Sequence, residues 1–469
     1  MLVNIANRYD ALPSTPRSYD IVFYSRIRPD FMFDAAGPVS IVGQSIRRPL
    51  SARWALSRNM VTAPLKCGFA EPWVDHSFAV DLDMSAYEPG FYDLRMSLTY
   101  SQHEQASAIT TFGWRIGEES HIEVCPSNFN SFWSHALQNC KQTPPDLRVE
   151  AAMRLTGEAI GRYNVEQAAL PESYDPDGEL YNDIEISRVD FASPCGGRVY
   201  GWFARPAGDG IFPGLLVMPG AGNFPRPAPV EQARHGYAAL DIQVHGFPVD
   251  APMYPLLPEP VYTDPQDYLH YRVYLNALQA VNALCQLPGV DDRKIAIVGG
   301  SQGGRLSTVV SALDPRICAT VPAITHFANL PWLRWTMHMN RSHCPGGEGF
   351  QDRDIIDDSR TRVESYFDVV NFAPYVKCPV LMNAGLIDPI SPPTGVYAAY
   401  RALKTQKRIV PLPNLGHDWS PVFDRYAWTW LRGILSGHDT AIVPLQRQET
   451  PTSRSRHSEP VAGEAVLAN

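Results

Sequence analysis

The chain has no pair of cysteines in a C-x-x-C arrangement, although it contains eight cysteines in 469 residues. Cysteines paired at that spacing are typical of zinc sites and of dithiol redox sites, so neither kind of site is indicated. In a chain of this length, scattered cysteines are expected to be reduced and buried rather than joined into a disulfide framework.

Long apolar runs and an excess of positive charge are also missing. No run approaches the roughly 18 apolar residues that cross a bilayer. Polar residues interrupt the first twenty positions, where a secretory leader would have its apolar core. The formal net charge of -9 disfavours a nucleic acid or an anionic membrane as the main partner. We therefore expect a cytoplasmic protein, or a secreted one if a leader has been removed.

The hydrophobic pattern changes three times along the chain. Short alternating segments in residues 1–120 predict an N-terminal β-sandwich. Residues 121–183 are interpreted as a linking helix followed by an extended connector. Strands and helices alternate over residues 184–436, which predicts a doubly wound, mostly parallel α/β sheet. The polar composition of residues 437–469 predicts a disordered tail.

One stretch of the third region carries the signature of a catalytic serine. The apolar strand Lys294–Val298 runs into the turn Gly299–Gly304, and a helical segment follows. Strand, G-x-S-x-G and helix together are typical of the nucleophile elbow of α/β-hydrolases, which places Ser301 as the candidate nucleophile. The alternative is a glycine-rich turn with a bystander serine, because the motif by itself is common.

A serine nucleophile needs a general base and a carboxylate that orients it. In α/β-hydrolases these follow the serine in the order acid, then histidine, on loops after later strands. Asp388 follows the predicted strand Val380–Ala384, and His417 follows the predicted strand 407–412. Asp418 is a rival acid, but a sequence neighbour of the histidine cannot easily reach its Nδ1. Three further histidines are expected to line the pocket or the surface: His326, His338 and His343.

Two backbone N–H groups are candidates for the oxyanion hole. The Gln302 N–H follows the serine at the beginning of a helix, where the helix dipole favours negative charge. The second donor should come from the small-residue loop after the strand Leu215–Met218. There we choose the Ala221 N–H, with Gly222 next. The alternative is a turn with no catalytic part.

The sequence resembles the acetyl xylan esterase / cephalosporin C deacetylase family over roughly residues 125–435. The resemblance rests on the following motifs: Ser301-Gln302-Gly303-Gly304, Gly385-Leu386-Ile387-Asp388 with Pro392-Pro393, Gly416-His417, the run from His235 to Gly246, and Pro126 to Trp133. It implies an α/β-hydrolase fold and hydrolysis of O-acetyl groups on sugars and small molecules.

Two pocket loops depart from the family pattern. The family's R-G-Q is His245-Gly246-Phe247 here, and its H-G-Y oxyanion loop is Pro219-Gly220-Ala221. The resemblance therefore supports the type of reaction better than it supports the identity of the substrate. An N-terminal β-domain before such a hydrolase is also similar to acyl-CoA thioesterases and acyltransferases, although those carry a different elbow.

We expect a serine esterase that uses neither metal nor cofactor and acts on short acyl esters, acetyl above all, of small molecules or oligosaccharides. The alternatives are an acyl-CoA thioesterase or acyltransferase, an oligopeptidase-like hydrolase, and a non-catalytic binding protein with a hydrolase fold. No propeller-sized repeat array precedes the catalytic region, which disfavours the oligopeptidase. The N-terminal sandwich is expected to narrow the pocket mouth or to build a homo-oligomer contact.

Overall fold

The computed structural model describes residues 21–34, 37–71, 73, 75–120, 124–166, 180–221, 226–251, 261–342 and 358–437. Nearly all of the predicted tail therefore lies outside the described residues. Among the described helices, none combines the length and the apolar character needed to span a bilayer.

Eight strands in the N-terminal part form two sheets. They are β1 (Ile21–Tyr24), β2 (Met32–Phe33), β3 (Val39–Ser45), β4 (Ser51–Arg58), β5 (Lys66–Ala70), β6 (Ser77–Leu82), β7 (Gly90–Ser101) and β8 (Glu104–Trp114). One sheet has the order β1-β3-β6 and the other β2-β8-β7-β4-β5. Alternate residues of β7, such as Leu94, Met96 and Leu98, are buried, as expected for a strand with one face on a core. The fold of this part is the β-sandwich that the alternation predicts.

A ten-stranded mixed sheet forms the centre of the part that follows the sandwich. Its strands are β9 (Arg148–Val149), β10 (Met153–Thr156), β11 (Asp183–Ala192), β12 (Arg198–Pro206), β13 (Phe212–Met218), β14 (Ala238–Gln243), β15 (Val290–Gly300), β16 (Ile317–Ala323), β17 (Val380–Gly385) and β18 (Lys407–Leu412). The order is β10-β11-β12-β14-β13-β15-β16-β17-β18, with β9 beside β11. From β14 to β18 the strands run parallel, and their carboxyl ends therefore share one edge.

Helices cover both faces of this sheet. They are α1 (Phe129–Gln142), α2 (Glu158–Glu166), α3 (Val230–Arg234), α4 (Leu269–Leu284), α5 (Gln302–Leu313), α6 (Leu330–Ser342), α7 (Ser359–Glu364), α8 (Val369–Phe372), α9 (Pro393–Ala402) and α10 (Pro421–Leu435), with single 3-10 turns at Ser365–Phe367 and Ala373–Tyr375. Leu216 packs in the cluster that contains α4, α5 and α9, whereas its neighbour Leu215 packs in the cluster that contains α10. The fold is the doubly wound α/β-hydrolase arrangement.

The segment interpreted as an extended connector contains regular structure in its first half. Strand β10 pairs antiparallel with β11, and α2 follows it. The strand has only four residues, of which one is buried, and the alternation of Met153 and Leu155 is too short to predict a strand. Its hydrogen-bonding partner comes from a strand some thirty residues later. Residues 167–179 lie outside the described part of the chain.

Candidate active site

Ser301 lies at the sharp turn between β15 and α5. Its φ of 58° and ψ of -116° place a non-glycine residue in an unfavourable region. Such strain persists only where the surroundings fix the backbone. Here the Ser301 N–H donates to the Ala323 carbonyl at 3.0 Å, and the Ser301 carbonyl accepts from Arg305 N–H at 3.1 Å and His326 N–H at 3.2 Å. These three backbone hydrogen bonds therefore fix the strained conformation of Ser301 between strand β15 and helix α5.

The glycines that flank Ser301 are required by close backbone contacts. A Cβ on Gly303 would lie 2.3 Å from the Met218 carbonyl oxygen, and one on Gly299 would lie 2.7 Å from the Gly303 carbonyl carbon. Side-chain carbons do not approach backbone atoms so closely without a shift of the chain. These glycines allow α5 to pack directly against the ends of β13 and β15, as the motif predicts.

The three predicted side chains form one hydrogen-bonded series. His417 Nε2 lies 2.9 Å from Ser301 Oγ, and His417 Nδ1 lies 2.8 Å from Asp388 Oδ2. Because an ionised carboxylate only accepts, Nδ1 carries the proton and Nε2 is left to accept from the serine hydroxyl. This arrangement can remove a proton from Ser301 as the serine attacks an electrophile.

The Asp388 carboxylate is held by its own loop. It is 1% exposed, and its second oxygen, Oδ1, accepts from Ile390 N–H and Ser391 N–H, both at 2.8 Å. One oxygen is thus fixed by the backbone, while the other faces the imidazole. The rival Asp418 is exposed, and its Oδ1 accepts from the Trp419 N–H at 2.8 Å.

The predicted oxyanion loop lies against the nucleophile turn. Gln302 Nε2 donates to the Pro219 carbonyl at 3.4 Å, and a Cβ on Gly220 would meet the Gly300 carbonyl oxygen at 3.7 Å. Ala221 follows in this loop and is exposed. Gly222, the second choice of donor, lies outside the described residues. The contacts bring the loop to the turn, and the roles of the Gln302 and Ala221 N–H groups stay predictions.

Arg305, which the sequence analysis did not single out, is buried beneath the turn. Its side chain is 1% exposed, its Nη2 donates to Gln302 Oε1 at 3.4 Å, and its guanidinium lies 4.4 Å from the Phe327 ring centroid. Gln302 thereby connects the guanidinium to the Pro219 carbonyl. The available signal was a charged residue in the first turn of a helix otherwise made of small and apolar residues.

Three histidines near Arg305 are kept neutral. Burial, followed by the Arg305 charge, lowers the pKa of His245 to about 4 and that of His326 to about 3. The same two causes lower the pKa of His270. The sequence analysis placed His326 in the pocket or on the surface, and its backbone contact with Ser301 puts it beside the site. His343 and the side chain of His338 lie outside the described residues.

The described residues hold no group of three or more His, Cys, Asp or Glu side chains arranged to bind a metal ion.

A family model for acetyl xylan esterases matches residues 162–433, more than half of the chain. The chain belongs to the acetyl xylan esterase family. Members of this family are carbohydrate esterases, so the protein is a carboxylic ester hydrolase. The matched range contains all three residues of the hydrogen-bonded series and begins after the N-terminal sandwich.

Similar proteins support the same family. An acetyl esterase, Axe7A, from Xylanibacter ruminicola is 25% identical over 382 residues, which cover 75% of this chain and 76% of the relative. An acetyl xylan esterase from a Paenibacillus species is 25% identical with a TM-score of 0.50, covering 67% of this chain and 96% of its own. Acetyl xylan esterase 1 from a Thermoanaerobacterium species is 20% identical with a TM-score of 0.52, over 68% and 96% of the two chains. The last likeness concerns the fold alone.

Proposed function

We propose that the protein removes short acyl groups, acetyl above all, from carbohydrate esters by a Ser-His-Asp acyl-enzyme mechanism. The observation that carries the proposal is the series of hydrogen bonds from Ser301 through His417 to Asp388. The two hydrogen bonds, of 2.8 and 2.9 Å, join residues that are 29 and 116 positions apart in the chain. Their order and lengths support the assignment of Ser301 as nucleophile, His417 as base and Asp388 as orienting carboxylate.

In the first half of the reaction Ser301 Oγ attacks the ester carbonyl carbon while its proton passes to His417 Nε2. The carbonyl oxygen becomes an oxyanion that the Gln302 and Ala221 N–H groups stabilise. The carbon–oxygen bond to the alcohol then breaks, and His417 returns the proton to the leaving alkoxide. The products of this half are a free alcohol and an acyl-serine.

In the second half a water molecule takes the place of the serine as nucleophile. His417 removes its proton as it attacks the acyl carbon, and the same N–H groups bind the second oxyanion. The Ser301–acyl bond breaks, the proton returns to Ser301, and a carboxylic acid is released. Asp388 stabilises the imidazolium formed in both halves without taking its proton.

The acyl and alcohol parts of the substrate are proposed from the relatives. One, at 25% identity, is named for acetyl xylan, and another, also at 25% identity, for acetyl esters. The departures at His245-Gly246-Phe247 and Pro219-Gly220-Ala221 touch loops beside the site, so the alcohol can differ from that of the relatives.

The test is hydrolysis of p-nitrophenyl acetate, butyrate and octanoate, together with acetylated xylan. Wild type should prefer the acetate and release acetate from the polymer, whereas Ser301→Ala should lose at least about a thousandfold in kcat. Ser311→Ala, which removes a serine from the helix that follows Ser301, is the matched control and should keep its activity and its labelling by a fluorophosphonate. An active Ser301→Ala variant would overturn the mechanism, and a preference for octanoate would overturn the acetyl assignment.

A further inference from the structure

The helix that follows the catalytic acid is tied to the N-terminal sandwich at its first turn. Helix α9 begins at Pro393, five residues after Asp388, and Thr394 Oγ1 donates to Asn59 Oδ1 at 3.1 Å. Both side chains are 3% exposed. This is a buried hydrogen bond between residues 335 positions apart, and it joins the sandwich to the segment that carries the acid.

Asn59 is itself rigidly held within the sandwich. Its Nδ2 donates to Asp93 Oδ1 at 2.8 Å, and the next N–H, of Met60, donates to Asp93 Oδ2 at 2.9 Å. Thr111 Oγ1 also donates to Asp93 Oδ1 at 2.8 Å. Asp93 is 2% exposed, so these bonds satisfy a carboxylate that could not find water instead. A fully satisfied buried network of this kind fixes the Asn59 carboxamide, with its oxygen directed at α9.

The connection from Thr394 back to the acid is short and stiff. Asp388 Oδ1 accepts from Ile390 N–H and Ser391 N–H, so the carboxylate moves with that backbone. Pro392 and Pro393 follow immediately, and their rings restrict φ between the acid loop and Thr394. A displacement of the first turn of α9 is therefore passed to the Asp388 carboxylate rather than absorbed by the loop.

The sandwich also faces the acid loop directly. A cleft is lined on one side by sandwich residues, among them Asn59, Met60 and Asp93, and on the other by Ile387 and Asp388 of the loop that carries the acid. Further along α9, the Tyr397 ring lies 5.0 Å from that of Phe91, and Arg401 pairs with Glu119 at 2.9 Å. The sandwich therefore contacts α9 along its length, and of these contacts the bond between Asn59 and Thr394 is the nearest to Asp388 along the chain.

We propose that Asn59 is a positioning residue for catalysis, acting through Thr394 to hold Asp388 at hydrogen-bonding distance from His417. The N-terminal sandwich then helps to position the Asp388 carboxylate through this one contact. This inference rests on the proposed function, because it requires Asp388 to orient His417. If Thr394 loses its hydrogen bond to Asn59, Asp388 can move from its position beside His417. A displacement of about 1 Å can lower the rate by as much as a hundredfold.

The test compares Thr394→Val, which removes the hydroxyl at nearly constant volume, with Thr394→Ser, which keeps it. On p-nitrophenyl acetate, Thr394→Val should lower kcat about tenfold with KM within about twofold, and Thr394→Ser should restore most of kcat. Asn59→Ala removes this bond together with the one from Asn59 Nδ2 to Asp93, and it should lose at least as much of kcat. The double variant should lose no more than the larger single loss, because the bond between Thr394 and Asn59 is broken by both changes.

The control is Arg401→Gln, which breaks the ion pair at the other end of the same helix. It should lower the midpoint of thermal unfolding at least as much as Thr394→Val does, yet keep wild-type kcat. A wild-type kcat in Thr394→Val, or an equal loss of kcat in Arg401→Gln, would overturn the inference. Activity that survives in Ser301→Ala would instead overturn the proposed function, so the two failures are distinguishable.

Discussion

Replacing Asp388 by Asn exchanges one carboxylate oxygen for an NH2 group, at a residue whose two oxygens both accept hydrogen bonds. In the wild-type protein Oδ1 accepts from the N–H groups of Ile390 and Ser391, and Oδ2 faces His417 Nδ1. The Asn carboxamide has one oxygen and one NH2 group to place at these two positions. Keeping the oxygen on the two backbone N–H groups preserves two hydrogen bonds, each worth about 1 kcal/mol.

That orientation presents the NH2 group to His417. The opposite orientation would lose both backbone bonds, so the first is favoured by about 2 kcal/mol, or a factor of about thirty. Nδ1 must then accept a hydrogen bond, and the imidazole proton moves to Nε2. A protonated Nε2 cannot take the proton of Ser301 Oγ. The structure therefore predicts the wrong tautomer in an intact fold, with kcat lower by about 10⁴.

The assay is steady-state hydrolysis of p-nitrophenyl acetate by wild type, Asp388→Asn and Asp418→Asn, with thermal unfolding as the check on folding. KM should change little, because the alteration affects proton transfer rather than substrate binding. Asp418→Asn changes an exposed neighbour of His417 by the same single atom and should keep wild-type kcat. A variant at 388 that retains more than about a tenth of kcat, or an equal loss at 418, would refute the reasoning.

Two predictions concern stability. Trp133 is 2% exposed between Tyr274 and Phe372, so Trp133→Ala should lower the free energy of unfolding in urea by about 3–5 kcal/mol. Trp73 is 43% exposed, so Trp73→Ala should change that free energy by no more than about 0.5 kcal/mol. Equal losses in the two variants would contradict the packing argument. Burial and the Arg305 charge lower the pKa of His245 to about 4 in the folded state. The contribution of neutral His245 to the free energy of unfolding is therefore complete above pH 6.5 and is lost as the pH falls towards 4. Between pH 7.5 and 4.5 wild type should lose about 2–3 kcal/mol more unfolding free energy than His245→Gln, and identical losses would refute this.

The nucleophile turn was predictable because its motif is local. Gly299 and Gly303 lie within two residues of Ser301, so the motif is visible in the sequence. The contact that requires Gly299 is with Gly303 in the same turn, whereas the contact that requires Gly303 is with Met218 at the end of β13. The acid and the base were predictable for a different reason. Parallel strands place their carboxyl ends along one edge, so loops after β17 and β18 must come near the loop after β15. Chain order and strand endings alone therefore indicated Asp388 and His417.

Other features of the site depend on distant partners. The buried Arg305 contacts Gln302 Oε1 in its own helix and the Phe327 ring, and only the packed fold brings the latter to it. Strand β10 exists because β11 supplies its hydrogen bonds. Neither partner can be found by reading the residues next to it.

The sequence by itself determined the hydrolase fold, the family and the three residues of the hydrogen-bonded series, because each depends on spacing within a few residues or on the fixed geometry of a parallel sheet. The tertiary structure alone decided how the sandwich meets the acid loop. Asn59 and Thr394 have no distinguishing feature in the sequence, and only the packing of the sandwich against α9 brings them together. A hydrogen bond across 335 residues depends on the shapes of both surfaces, and no periodicity or motif along the chain encodes that fit.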